Sequence, residues 1–159
     1  MVAPLGDLEL TQRLLLAAAI GALLGLEREY RLKSAGLRTN ILIAVGSALF
    51  TLMSIDLVVG VEAGDPSRLA AQIVTGIGFL GAGAIMRTDS GVQGLTTAAT
   101  VWVNAALGVA VGGGEYHLAL IGTAVTLAAL LLLHPIELFL DRQFRRPESG
   151  ENSRDATDS

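Results

Sequence analysis

The stretch LAAQIVTGIGFLGAGAIM, from Leu69 to Met86, decides the fold class of this chain. It carries no formal charge and is long enough for a membrane-spanning helix. In a bilayer, glycines allow neighbouring helix backbones to approach closely. The small residues of this stretch fall on more than one helical face, so we expect it to be the central helix of a bundle. Its predicted packing glycines are Gly76, Gly78, Gly81 and Gly83.

The same glycines permit a second interpretation. A helix broken within residues 76–83 would line a solute or ion site, as in transporters with discontinuous helices. The pattern of residues does not distinguish close packing from a broken helix, so both interpretations stay open at this point.

The composition indicates an integral membrane protein. Of its 159 residues, 52% are hydrophobic and only 16% are charged, whereas about a quarter are charged in soluble domains. The absence of cysteine excludes disulfides and thiolate metal sites. No basic stripe interleaved with aromatic residues is present, which argues against a nucleic-acid partner. We expect one integral membrane domain, residues 1–146, whose partner is the lipid bilayer.

Hydropathy predicts an all-α bundle of five transmembrane helices. Asp7 and Glu9 precede the first span where a signal peptide would have basic residues, so we interpret it as a retained helix. His134 and Pro135 are expected to kink or end the fifth span. A polar tail, residues 147–159, is predicted to be disordered and cytoplasmic. The predicted spans are residues 8–27, 38–60, 69–86, 95–112 and 116–133.

The basic residues predict the orientation of this bundle. With five spans, nine of the 11 Lys and Arg residues fall on one side, leaving only Arg13 and Arg68 on the other. Basic residues near span ends favour the cytoplasm. The N-terminus is therefore predicted outside and the C-terminus inside.

Polar residues of the spans are the candidate functional residues, because ionisable groups in the hydrocarbon region are costly and usually have partners. We expect Glu27 to pair with Arg38, either as a clamp between two helices or as part of a functional site. Asp56 would need further oxygen donors to bind a cation, and Asn104 is expected to form an interhelical hydrogen bond. The predicted inner-leaflet cluster is Glu27, Arg28, Arg38, Asn40, Arg87 and Thr97, and the predicted outer cluster is Asp56, Arg68 and Gln72.

Motifs for catalysis are missing from the sequence. It contains no H-E-x-x-H pair, no G-x-S-x-G elbow and no phosphate-binding P-loop. We therefore expect a protein that is not an enzyme and has no cofactor, and the sequence does not identify a metal site.

Four segments of the chain resemble the MgtC/SapB family of bacterial inner-membrane proteins. They are GLERE, AGLRTN, DPSRLAAQIVTGIGFLGAGAIM and GLTTAATVW, which begin at Gly25, Ala35, Asp65 and Gly94. The resemblance implies a multi-pass bundle linked to survival under magnesium limitation, through membrane potential and ATP homeostasis. Two departures stand out: better-known members carry a soluble C-terminal domain, which this short form is expected to lack, and Gln93 stands where a basic residue is expected.

Two functions follow from these observations. The first is a non-enzymatic regulator of ion or energy homeostasis that contacts other membrane proteins. The second is a cation channel or carrier, for which a chain of this size would have to form a homo-oligomer. The resemblance places either one in the inner membrane.

Overall fold

The computed structural model describes residues 5–58, 65, 67–89 and 91–144, with the backbone alone for residues 67–70, 134 and 137–144. The described chain is helical apart from one short hairpin. Its elements are α1 (Asp7–Tyr30), α2 (Leu37–Val58), α3 (Ser67–Gly83), β1 (Met86–Thr88), β2 (Gly91–Gln93), α4 (Leu95–Gly112) and α5 (Tyr116–Phe144). The predicted tail, residues 147–159, and the last two residues of the predicted second span lie outside the described residues.

Four segments have the length and hydropathy to cross a membrane. They are α1, α2, α4 and the part of α5 from Tyr116 to Leu133. The apolar part of α3, Ala71–Gly83, is shorter. The chain is therefore a multi-pass membrane protein of the all-helical class.

The core of the bundle is built from α1, α2 and α4. Glycines on the two outer helices of this trio bring both backbones against α2. A Cβ added at Gly21 would lie 2.6 Å from the carbonyl oxygen of Asn40, and one at Gly112 would lie 2.7 Å from that of Ala48. Gly25 and Gly108 make equivalent approaches to α2. Such close backbone contact is the main use of glycine between membrane helices.

These glycine contacts also fix the directions of the three helices. Gly25 faces Leu37 at the start of α2, while Gly21, earlier in α1, faces Ala44 further along it. Helix α1 is therefore antiparallel to α2. Gly108 faces Ala44 and Gly112 faces Ala48, so α4 runs parallel to α2.

Helix α3 packs on α2 and α4 at the edge of this trio. Of its residues with described side chains, only Ile77 and Gly81 are buried. A Cβ added at Gly76, Gly78 or Gly83 would meet nothing within 4 Å. The expectation that α3 is a central helix contacted on several sides is therefore wrong within this chain, because its neighbours cover only one face.

The chain leaves α3 earlier than hydropathy predicts. The helix ends at Gly83, and an antiparallel hairpin follows, with Met86 opposite Gln93 and Thr88 opposite Gly91. The predicted third span runs on to Met86, because apolar residues alone do not show where a helix stops. Gly94, with a φ of 89°, then turns the chain into α4.

The last helix passes through a proline. Helix α5 continues from Tyr116 to Phe144 with Pro135 inside it, so of the two predicted effects of His134 and Pro135, a kink or an end, the end is wrong and the kink stays a prediction. The chain divides into two compact units, residues 1–127 and 128–159. The first holds α1 to α4, the hairpin and the beginning of α5, where Ala119 and Thr123 are buried. The second holds the remainder of α5.

Candidate functional site

Polar residues from α1, α2 and α4 are buried inside the three-helix core. We call this set the buried polar layer; its members are Glu27, Arg28, Asn40, Thr97, Thr100 and Asn104. All of them except Glu27 are at most 4% exposed, and the Glu27 side chain is 7% exposed. All three core helices therefore contribute desolvated polar side chains.

The register of the helices places Arg28 of α1 and Thr100 of α4 at a similar depth. Asn40 lies against Gly21 and Gly25 of α1 and bonds to Asn104 of α4, which sets a common level. Arg28 lies about 4.5 Å beyond Gly25 along α1, and Thr100 lies about 6 Å from Asn104 towards the start of α4. Because α1 and α4 are antiparallel and in contact, both displacements have the same direction, and Arg28 and Thr100 reach a similar depth.

Two asparagines join α2 to α4. The amide nitrogen of Asn104 donates to the backbone oxygen of Asn40 at 2.7 Å and to its side-chain oxygen at 3.1 Å. The amide nitrogen of Asn40 in turn donates to the carbonyl oxygens of Ala35 and Gly36 at 2.8 and 2.9 Å. Asn40 thereby ties the α1–α2 connection to α4, which explains why two amides are kept in an apolar core.

Glu27 pairs with arginines of its own helix. Its carboxylate accepts from Nε of Arg28 at 2.5 Å and from Nη2 at 3.0 Å, and it also forms an ion pair with Arg31. Arg38 is exposed and forms no ion pair with Glu27 among the described residues. The predicted Glu27–Arg38 pair is therefore wrong, since two arginines on α1 already occupy the carboxylate.

Two atoms of the buried polar layer have unused hydrogen-bonding capacity. Nη1 of Arg28 and Oδ1 of Asn104 are buried and have no partner within the described part of the chain. Leaving a buried polar atom unsatisfied costs about 1–3 kcal/mol. The layer thus offers one donor and one acceptor to a water molecule or to a polar group of a ligand.

The other predicted inner residues lie outside this layer. Arg87 is exposed on β1, opposite Val92 of β2, and Arg38 is exposed in the first turn of α2. Thr97, in contrast, is buried and belongs to the buried polar layer. The sequence-based cluster is therefore divided between a desolvated core and a solvent- or lipid-facing surface.

The predicted outer cluster is not assembled by the described residues. Asp56 is exposed near the end of α2, Gln72 is exposed on α3, and no hydrogen bond between them is present in the described part of the chain. The side chain of Arg68 lies outside the described residues. Within those that are described, no group of three or more His, Cys, Asp or Glu side chains could hold a metal ion.

Arg13, whose charge bears on the predicted orientation of the bundle, is buried. Its Nη1 donates to the carbonyl oxygen of Gly112 at 2.6 Å, and its Nη2 pairs with Glu9 at 2.5 Å. Its guanidinium carbon lies 5.8 Å from the ring centroid of Tyr116. An arginine inside the predicted first span, residues 8–27, was the available signal, since such charges need a partner. Arg13 holds α1 to the end of α4 and the start of α5.

An open apolar groove runs between α2 and α3. Its main part has a volume of about 510 Å³, and a second part of about 460 Å³ continues it at the end that bears Thr39, Ile43 and Leu80. We call the two parts together the α2–α3 groove. Gln72 lines the main part of the groove. Helix α3 also packs against α4: a Cβ added at Gly81 would lie 3.7 Å from the carbonyl oxygen of Ala98.

Comparison with known proteins gives the chain a family assignment. Residues 14–139 match the family described as "MgtC family". The chain is 47% identical over 129 residues to the "Putative magnesium transporter YhiD" of Escherichia coli K12, covering 78% of this chain and 60% of that protein. It is 51% identical over 120 residues to "Protein MgtC" of Salmonella typhimurium LT2, covering 76% and 50% respectively.

The matched region is only a part of those relatives. An uncharacterised protein of Synechocystis sp. is 44% identical over 131 residues, covering 82% of this chain and 55% of that protein. The chain thus spans between half and three fifths of the length of these curated relatives. No solved structure matches it.

Proposed function

This chain belongs to the MgtC family, and we propose that it is a non-enzymatic inner-membrane protein of magnesium homeostasis that acts by contacting other membrane proteins. The observation that carries this proposal is the identity of about half the aligned residues to Protein MgtC and to a relative named as a putative magnesium transporter. We propose that the protein also regulates energy homeostasis, through the membrane potential.

The open face of α3 supports action through contacts. A Cβ added at Gly76, Gly78 or Gly83 would meet nothing within 4 Å, and Phe79 is 82% exposed. Small residues in membrane helices are typical of helix–helix interfaces. A partner helix can therefore approach α3 closely without displacing any contact of this chain.

The relative's name also favours a second candidate, a Mg²⁺ carrier that acts as an oligomer. The charges of the buried polar layer weigh against this within one chain. Glu27 is the acidic member, and its carboxylate is already paired with Arg28 and Arg31. Because Arg28, a member of the layer, and the adjacent Arg31 are two cations around one carboxylate, the charges at Glu27 repel a divalent cation rather than attract it.

We propose that α3 is also a span, which gives five spans with the N-terminus outside and the C-terminus inside. The antiparallel α1–α2 packing and the parallel α2–α4 packing support this arrangement, because α3 must then return the chain between α2 and α4. At 17 residues, α3 is about 26 Å long, close to the roughly 30 Å hydrocarbon thickness.

Two assays separate the regulator from the carrier. The first measures Mg²⁺ flux into liposomes that contain purified protein. The second measures growth and membrane potential at limiting Mg²⁺ in a bacterium whose own family member is deleted. The proposal predicts restored growth without flux, whereas flux above that of empty liposomes would favour the carrier.

A pair of variants tests whether the α3 face carries the activity. Gly78→Leu adds a side chain to that face, and Ala124→Leu adds one to an exposed position of α5. We expect Gly78→Leu to abolish restored growth with normal amounts of folded protein, while Ala124→Leu retains growth. Equal growth with both variants would contradict action through α3.

Orientation is testable by labelling because the natural chain has no cysteine. Single cysteines at positions 64 and 113 should react with a membrane-impermeant reagent from outside the cell. Cysteines at positions 34 and 89 should react only after the membrane is opened. Inside labelling at position 64 would overturn the proposed orientation.

A further inference from the structure

The main part of the α2–α3 groove is about as long as one leaflet of the bilayer's hydrocarbon core is thick. Its main part is lined on α2 from Thr39 to Phe50, which is about 17 Å of helix. Half of a hydrocarbon core of about 30 Å is a similar length. The walls are apolar over most of their surface, with Gln72 at the end near Phe50.

Glycines keep this groove open. A Cβ added at Gly46 of α2 or at Gly76 of α3 would meet nothing within 4 Å, and both residues line the groove. An unfilled apolar space loses the dispersion contacts of its lining atoms. In a bilayer, lipid acyl chains are available to fill this groove.

Positive charge surrounds one end of the groove. Ser34, Thr39 and Met86 line that end, and each is next in sequence to an exposed basic residue. These basic residues are Lys33, Arg38 and Arg87. None of them forms an ion pair within the described part of the chain.

The nearby acidic residues leave this end positive. Glu29 accepts a hydrogen bond from the backbone nitrogen of Leu37 at 3.0 Å, and Asp89 lies in the turn of the hairpin. Three cations and two anions therefore leave one net positive charge. Basic pockets between membrane helices are known to recognise anionic lipid headgroups.

We propose that the α2–α3 groove binds an anionic phospholipid, with an acyl chain between α2 and α3 and the phosphate held by Arg38 and Arg87. A second copy of the chain fits this groove less well. It would bring its own basic residues to the same end if packed side by side, and like charges in contact oppose association. This inference is independent of the proposed function.

Native mass spectrometry of the purified chain tests the proposal directly. Phosphatidylglycerol and phosphatidylcholine with identical acyl chains are offered in competition. We expect a preference for phosphatidylglycerol that falls about five-fold for each arginine neutralised, and so roughly 25-fold for Arg38→Gln with Arg87→Gln. Asp89→Asn, which removes an opposing charge from the same hairpin, should keep or raise the preference. Equal binding of the two lipids by the natural chain would overturn the headgroup assignment.

A second pair of variants tests the acyl site. Gly76→Leu fills the groove, whereas Gly78→Leu adds the same side chain to an open position that does not line it. We expect Gly76→Leu alone to lose bound lipid. Unchanged lipid binding by Gly76→Leu would overturn the proposal. A change from oligomer to monomer in Gly76→Leu alone would also overturn it, because a second copy of the chain would then be the occupant of the groove.

A photoreactive lipid keeps the proposal testable should these variants fail to fold. Phosphatidylglycerol with a diazirine on its acyl chain is incorporated into liposomes that contain the natural chain. We expect labelled peptides from both α2 and α3, suppressed by excess unlabelled phosphatidylglycerol but not by phosphatidylcholine. Labelling spread evenly over all exposed helices would contradict a specific site.

Discussion

The glycines of α1 and α4 and those of α3 are the same residue in opposite environments. A Cβ at Gly21 or Gly112 would collide with the backbone of α2, whereas a Cβ at Gly76, Gly78 or Gly83 would meet nothing within 4 Å. The first group closes a three-helix core around buried polar side chains. The second leaves α3 as an open edge. A small residue in a membrane helix thus shows where close approach is possible, but not whether the neighbour belongs to the same chain.

The sharpest test of the core is the removal of its buried counterion. Glu27→Gln deprives Arg28 of its carboxylate, and breaking a buried pair typically costs about 3–5 kcal/mol. We expect a loss of this size in equilibrium unfolding in mild detergent. Arg38→Gln is the control, because this exposed arginine has no ion pair within the described residues, and it should change stability by less than about 0.5 kcal/mol. Similar losses for both variants would contradict the assigned pairing.

Enlarging a glycine should separate the two regions next. Gly108→Leu places a side chain against Ala44 and Ser47 of α2, and overpacking typically costs about 1–3 kcal/mol or more. Gly78→Leu makes the same change on the open face and should leave the unfolding free energy of the single chain nearly unchanged. Thermal unfolding of the purified variants gives the measurement, and an equally destabilised Gly78→Leu would mean that α3 is packed after all.

A smaller effect is expected from the amide that links α2 and α4. Asn104→Ala removes both hydrogen bonds to Asn40, and such bonds in membrane proteins average about 0.6 kcal/mol with a maximum near 1.7. Gln72→Ala on the exposed face of α3 is the matched amide control and should have no measurable effect on unfolding. A larger loss for Gln72→Ala would place the important amide at the edge instead of the core.

The smallest change should even be favourable. Gly78 is helical with ordinary φ and has free space around its Cβ position, so Gly78→Ala should stabilise the chain by about 0.4–1 kcal/mol by restricting the unfolded state. Gly21→Ala should instead destabilise it, because its Cβ would lie 2.6 Å from the carbonyl oxygen of Asn40. The same sign for both substitutions in thermal unfolding would remove the distinction between core and edge.

Hydropathy alone was sufficient to locate most of the fold. The predicted fourth span, residues 95–112, coincides with α4, and the first two spans differ from α1 and α2 by three residues or fewer at the ends that the structure describes. The hairpin after α3 was missed because three-residue strands carry too little alternation to be seen. Whether α5 continues through Pro135 was left open by the sequence, because a proline removes one hydrogen bond without forbidding the helix on either side.

The candidate site was harder to predict than the spans. Glu27 and Asn104 were selected as polar groups of the spans, and both lie in the buried polar layer. Their partners depend on side-chain reach and helix rotation. Arg28 and Arg31 compete with Arg38 for one carboxylate, and only the three-dimensional arrangement shows that the residues of α1 occupy it. Arg13 shows the converse, because its partner Gly112 contributes a backbone carbonyl that no sequence pattern marks.

The contact of Arg13 also bears on how the chain is made. Its carbonyl partner lies 99 residues further along, and at synthesis rates of about 5–20 residues per second the ribosome needs roughly 5–20 s to reach it. Glu9, one turn earlier on the same helix, is available at once. Before α4 has been synthesised, α1 therefore already contains a counterion for Arg13, namely Glu9. Arg13 can bond to its second partner, the carbonyl oxygen of Gly112, only after α4 has been synthesised.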